Sequence, residues 1–251
     1  MFANFTETAL HEHLGAYQRD GYCVFKQAVS PPSIKTIGKW LDSACERAAD
    51  TPTFEAQFEN QAQPRAAEVR KLRRLFWNDE AFWRQLLGAE GFFGLVKRIV
   101  SPDPALVFHA AFLKPASVGS KVAYHQDQAL WKYNYPNAAN LWLAVTPSKV
   151  RNGCIRVCPG SHKKGVIPHI AVPDYPHHDS IDLVANGLVS HPVEMDAGDV
   201  LLWDRFLVHG SEANTSPEAR KGVVMVFVDG SVKDFKATDA FFVNEHSPVA
   251  S

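Results

Sequence analysis

A mainly β domain with an N-terminal helical flank is the fold class this sequence predicts. Two observations carry that reading. Residues 1–100 place apolar side chains mainly at helical spacing, whereas residues 101–230 break into short apolar runs bounded by Gly, Pro, Asn or Ser. Short strands at that spacing build an antiparallel sandwich or barrel. With 251 residues, 46% hydrophobic and 21% charged, the chain is long enough for one sizeable core, so a single domain over 1–251 is expected.

The elements follow in chain order. Gly21-Tyr22-Cys23-Val24-Phe25 reads as a short strand. Ser30-Pro31-Pro32 is a helix start, and Ile34, Ile37, Trp40, Leu41 and Ala44 then recur at helical spacing to about Arg47. Residues 50–65 are polar and Gln-rich with two prolines, the composition of a loop. Arg70-Lys71-Leu72-Arg73-Arg74 reads as a solvated helix face. Helical periodicity returns with Phe82, Trp83, Leu86 and Leu87, and again with Phe92, Phe93, Leu95, Val96 and Ile99, whose aromatics belong to the core. Strands are expected over 105–113, 121–129, 140–145, 154–158, 199–204, 206–211 and 222–229. The irregular, Pro-containing stretch 163–192 is expected to cover one mouth of the barrel.

Composition excludes several classes of partner. Lys and Arg number 26 against 27 Asp and Glu, a net charge of -1, so no broad positive field invites nucleic acid. Cys23, Cys45, Cys154 and Cys158 form no CxxC pair and no disulfide framework, which fits buried thiols in a reducing compartment. No basic region followed by an apolar run opens the chain, no apolar segment reaches the length of a membrane span, and residues 248–251 are not a peroxisomal address. The expectation is a cytoplasmic protein, monomer or homodimer, whose partner is a small-molecule substrate.

The chemistry rests on a few positions. His-x-Asp or His-x-Glu is expected about once by chance in a chain with 11 histidines, so the pattern alone proves little. It occurs twice. His177-His178-Asp179 lies in a Pro-rich stretch, whereas His125-Gln126-Asp127 follows a segment that reads as strand, where residues two apart leave the same face. His209, at the end of a short apolar run, completes a 2-His-1-carboxylate set with open positions for a cosubstrate and O2. Arg220 follows His209 by eleven residues (220 − 209) and heads the run Gly222-Val223-Val224-Met225-Val226-Phe227-Val228. An arginine at the edge of a core strand either grips a carboxylate, as that of 2-oxoglutarate, or pairs with Glu218 or Asp199.

Together these residues resemble the phytanoyl-CoA dioxygenase family of Fe(II)/2-oxoglutarate oxygenases. The resemblance is carried by His125-Gln126-Asp127, by Asn152-Gly153-Cys154 with Pro159-Gly160-Ser161-His162, and by His209-Gly210-Ser211-x-x-Asn214 with Arg220. It runs over about 14–228, and Tyr17-x-x-Asp20-Gly21-Tyr22-x-Val24 is similar to that family's opening. It implies a double-stranded β-helix, or jelly roll, over 101–230 behind the helical flank of 1–100. It implies Fe(II) held by His125, Asp127 and His209, 2-oxoglutarate anchored by Arg220 with help from Ser211, and Trp142 lining the cosubstrate pocket. The product chemistry would be succinate, CO2 and a hydroxylated substrate. Asp127 occupies the position that related halogenases leave free for chloride, which favours hydroxylation; desaturation, cyclisation or epimerisation use the same centre.

Substrate signals are thin. Gln126, Trp131, Tyr133 and Tyr135 stand beside the metal pair and could line the substrate mouth, while Lys114 and Lys121 could meet an anionic group. The basic run at 70–74 could meet the phosphates of a CoA thioester, though a solvated face is the simpler reading. Acyl-CoA, amino-acid-like and natural-product substrates all remain open. Two other classes stay in play, a zinc hydrolase or lyase and a non-catalytic cupin-like binding protein. Neither accounts for Arg220.

Overall fold

Short strands with one apolar face need a second sheet or a helical layer against them, and this chain supplies both. The computed structural model describes residues 2, 5–51, 56–131, 135, 137–171, 179–231 and 240–243. In chain order the elements are α1 (Glu7–Asp20), β1 (Tyr22–Phe25), α2 (Pro31–Asp50), β2 (Ala56–Phe58), β3 (Val69–Arg73), α3 (Leu75–Asn78), α4 (Glu80–Ala89), α5 (Phe92–Ile99), β4 (Pro104–Lys114), β5 (Val122–His125), α6 (Asp127–Leu130), β6 (Ala138–Ala144), β7 (Ile155–Val157), β8 (His191–Pro192), β9 (Val200–Trp203), β10 (His209–Ser211), β11 (Arg220–Asp229) and β12 (Phe241–Phe242).

The larger sheet runs β1-β9-β6-β11-β4-β3-β2, with β12 also on β4, and the smaller runs β5-β10-β7-β8. From β4 to β11 the chain passes back and forth between them, giving β9-β6-β11-β4 facing β5-β10-β7-β8. This is the expected jelly roll.

Side-chain alternation divides the larger sheet into two faces. Leu106, Ala111, Leu113, Val223, Met225 and Phe227 pack outward against Ile37, Leu41, Trp83, Leu87, Phe92 and Leu95 of the helices. Trp142, Ala144, Leu201, Val224 and Val226 point inward and meet Ile155 and Val157 of the smaller sheet. The helical flank is therefore the outer cover of the barrel, and its boundaries are chemically marked. The Ser30 hydroxyl accepts the Ser33 N–H to cap α2, and Asp79 accepts the Phe82 N–H to cap α4.

Two expectations are corrected. The basic run at 70–74 is not a helix face: Val69–Arg73 is strand β3, paired to β2 on one side and β4 on the other, with Val69 and Leu72 buried. Its β2 partner lies within the stretch read as loop. Part of the segment 163–192 has a further place in the fold. Ile167 and Ile181 pack with Cys158, Val208 and Tyr124 on the outer face of the smaller sheet, and the Ile181 N–H donates to Tyr124 O at 2.7 Å. With the partly buried Leu183 and Leu188 they cover the sheet face that the helices leave bare. His177 and His178 lie outside the described residues. All four cysteines are buried and free, and burial pushes the Cys23 thiol up to about 12 and Cys45 and Cys158 to about 11. No helix among the described residues is long and apolar enough to cross a membrane.

Candidate metal and cosubstrate site

His125 ends β5 and His209 opens β10, and the two stand directly opposite each other in register. Each ring is oriented the same way. His125 Nδ1 lies 2.8 Å from Ala123 O, and His209 Nδ1 lies 3.0 Å from Leu207 O. A carbonyl oxygen only accepts, so Nδ1 carries a proton in both rings and each Nε2 is the nitrogen turned toward Asp127. Asp127 Oδ1 is 3.7 Å from His125 Nε2 and 3.9 Å from His209 Nε2, and the three ligand atoms lie within 4.8 Å of one another. Two imidazoles and one carboxylate converging from one side leave the opposite positions of a metal open.

Asp127 reaches this cluster just past the end of the strand, which is shorter than the expected 121–129. The strand stops at His125, Gln126 is extended, and Asp127 is the first residue of α6. The turn is secured by Trp131 N–H to Asp127 O and by Gln128 N–H to Arg205 O, each 3.1 Å. The second carboxylate oxygen is held by two donors, Asn140 Nδ2 at 2.8 Å and Trp203 Nε1 at 2.9 Å. Asn140 and Trp203 are themselves cross-strand partners on β6 and β9. Both were missed in the sequence. The one available signal was an asparagine inside an apolar strand, a position that needs a partner when buried.

Arg220 opens β11 on the inner face, 3% exposed. Its Nη1 donates to Gly153 O at 2.9 Å and its Nη2 to Phe112 O at 3.4 Å, while Nε has no partner among the described residues. The ion-pair alternative fails because its partners are taken: Glu218 pairs with Arg151 at 2.6 Å and Asp199 with Lys26 at 2.7 Å. Burial pushes Arg220 down to about 10, which still leaves it cationic at neutral pH. The guanidinium carbon lies 5.3 Å from the centre of the Trp142 ring. That ring occupies space only a glycine provides, since a Cβ on Gly222 would come within 1.9 Å of it. Ser211, two residues after His209 on β10, is buried on the same inner side. The structure therefore brings His125, Asp127, His209, Arg220, Trp142 and Ser211 to the space between the sheets.

The remaining candidates divide. Gln126 is not a substrate residue: fully buried, its amide nitrogen donates to Gly165 O and Phe206 O, and its oxygen accepts the Ile167 N–H, so every side-chain contact goes to backbone. The Gln126 N–H in turn donates to His169 Nε2 at 3.1 Å, a clamp on the ligand loop that local sequence did not reveal. Trp131 packs against the inner cluster, its ring 5.7 Å from that of Tyr135. Lys114 is buried, whereas Lys121 is exposed just before β5, four residues or roughly 13 Å along the chain from His125. Tyr133 lies outside the described residues. A further inward residue is Lys71, whose ammonium stands 4.6 Å from the Phe112 ring centre and 5.5 Å from that of Phe108.

The phytanoyl-CoA dioxygenase (PhyH) profile matches residues 17–222 of this chain. Mouse peroxisomal phytanoyl-CoA dioxygenase is 27% identical over 225 residues, 82% of this chain and 64% of its own length. The phytanoyl-CoA dioxygenase domain-containing protein 1 homolog of Dictyostelium discoideum is 29% identical over 130 residues, 47% of this chain and 44% of its own. The aligned stretch thus spans less than two thirds of either relative. Among solved structures, the epimerase SnoN in complex with Fe3+, alpha ketoglutarate and nogalamycin RO superposes with a TM-score of 0.67 at 20% identity, over 90% of this chain and 86% of that one. This likeness is one of fold.

Proposed function

The chain belongs to the phytanoyl-CoA dioxygenase family, and from that premise we propose that it is an iron(II)- and 2-oxoglutarate-dependent oxygenase that hydroxylates an unactivated C–H bond of a small molecule. The donor set fits the metal: two imidazole Nε2 atoms, each on a ring whose Nδ1 faces a carbonyl, and one carboxylate oxygen suit Fe(II) and leave positions for a chelating keto acid and O2. Together these three supply, when bound, an oxidant able to break such a bond, with succinate and CO2 as coproducts.

The protein's own residues do the rest. His125, Asp127 and His209 hold the metal on one side. Asn140 and Trp203 keep one oxygen of Asp127 engaged and leave the other, which faces both imidazoles, as the atom that would hold the metal. Arg220 takes the distal carboxylate, Ser211 assists, and Trp142 walls the pocket. With Asp127 present no coordination position is left for a halide, which favours hydroxylation. Trp131 lines the approach for a substrate whose class, natural-product, acyl-CoA or amino-acid-like, is to be found by screening.

One observation carries the reading: a guanidinium buried to 3% exposure on the inner face of the barrel, with an unpartnered Nε and no carboxylate to neutralise it among the described residues. A zinc hydrolase has no use for that group. The experiment is an anaerobic titration of Fe(II)-loaded protein with 2-oxoglutarate, followed by the visible charge-transfer band of a chelated keto acid. The band is expected in the wild type and weakened in Arg220→Ala. Its absence despite bound metal would overturn the proposal in favour of the hydrolase or binding-protein classes.

A further inference from the structure

We propose that Lys114 is a second cation of the cosubstrate pocket, gripping the distal carboxylate together with Arg220 and so selecting a dicarboxylate over a 2-oxo monocarboxylate. This rests on the reading of Arg220 given above and extends it. Lys114 ends β4 directly opposite Arg220, and side chains paired across antiparallel strands share a face. Alternation makes that the inner face, because Phe112 of β4 and Val224 of β11, each an even number of residues away, belong to the inner cluster. Both cations reach the same peptide. Arg220 Nη1 donates to Gly153 O, and a Cβ on Gly153 would come within 2.8 Å of Lys114 Cδ.

Lys114 is 2% exposed, and its ammonium, which has three donors, donates to Ser120 O. Neither Lys114 nor Arg220 makes an ion pair among the described residues. Two like charges buried side by side without an anion are costly, and the protein has one inexpensive escape: Lys114 gives up its proton. Burial, and next Arg220, push Lys114 down to about 6; Arg70 acts the same way, while Glu59 and Glu212 oppose it. The Glu59 carboxylate is itself engaged by the Ser120 N–H at 2.9 Å and hydroxyl at 3.2 Å. A carboxylate entering beside Arg220 reverses the balance, so Lys114 takes a proton from solvent as the dicarboxylate binds.

Proton uptake separates this role from a purely structural one. Mn(II)-loaded protein would be titrated calorimetrically with 2-oxoglutarate and with 2-oxobutyrate at pH 7.5, in buffers of different ionisation enthalpy. The wild type is expected to take up about one proton with 2-oxoglutarate, and its affinity to weaken as pH rises above about 6. Lys114→Met should take up none, bind 2-oxoglutarate about tenfold weaker or worse, and discriminate less against 2-oxobutyrate. Should that variant not fold, Lys114→Arg, charged throughout, should bind without uptake. Wild-type affinity and uptake in the Lys114 variants, with binding still lost in Arg220→Ala, would overturn this inference alone. No binding to the wild type would overturn it together with the function proposed above.

Discussion

The two sheets bury histidines of two kinds. On the helix-covered face His109 lies 4.5 Å from the Trp83 ring and 6.4 Å from Phe76, and neither of its ring nitrogens has a partner among the described residues. Burial pushes it down to about 3, so it stays neutral. On the inner face His125 and His209 each tie Nδ1 to a carbonyl and point Nε2 at one shared carboxylate. Their exposures, 1%, 7% and 8%, are too close for burial to explain the contrast. What separates a packing histidine from a ligand here is the neighbour prepared for each ring nitrogen.

Asp127→Ala breaks the contrast most severely. It is expected to reduce iron-dependent succinate formation by more than the roughly 10–100-fold that loss of an outer hydrogen bond costs, and to lower the melting temperature as well, because the buried Asn140 and Trp203 donors lose their acceptor. The opposite face should lose stability alone. Trp83→Ala empties the core beside His109, and urea unfolding should register a loss of about 3–5 kcal/mol with Mn(II) affinity unchanged. Asn140→Leu and Trp203→Phe leave the ligands intact but release one oxygen of Asp127; each should weaken Mn(II) binding roughly 10–100-fold by calorimetry, and an unchanged Kd would reduce both side chains to packing. The smallest effect is the most selective. With its folded pKa far below the unfolded value of about 6.5, His109 lets the unfolded state bind the extra proton, so its contribution is complete above pH 6.5 and lost as pH falls toward 3. Wild-type stability should therefore decline below pH 6.5 with a His109 share of up to about 1.4 kcal/mol per pH unit. Urea midpoints measured from pH 7 to 4 should show that share missing in His109→Leu.

Legibility followed the same division. Helices α2, α4 and α5 could be read because one stripe of each is apolar at a fixed period, and the inner strands because turn residues bound them. The ligands stood out because few other chemistries use two histidines, one aspartate and a lone core arginine. Strand β3 was misread because Lys71 looks solvated until the Phe108 and Phe112 rings arrive from β4, a contact no local window contains. Asp127 was read inside a longer strand; the strand ends at His125, and the extended Gln126 carries the alternation one residue further, to the first residue of α6. Asn140 and Trp203 were invisible as partners because their shared target depends on the register between β6 and β9, which is set by the folded sheet. Gln126 looked chemical by adjacency alone, and backbone hydrogen bonds turned it away.

The facing pair His125 and His209 joins strands whose partners are 84 residues apart in sequence (209 − 125). No short piece of chain contains the cluster, so the metal can recognise only a molecule whose two sheets have already closed on each other. An ion that binds the finished fold and not the open chain stabilises it by mass action, by about 2.7 kcal/mol at a hundredfold excess over its Kd. Iron in this position would be a late seam across the barrel as well as a reagent, and iron starvation would loosen the protein at the place where its chemistry is kept.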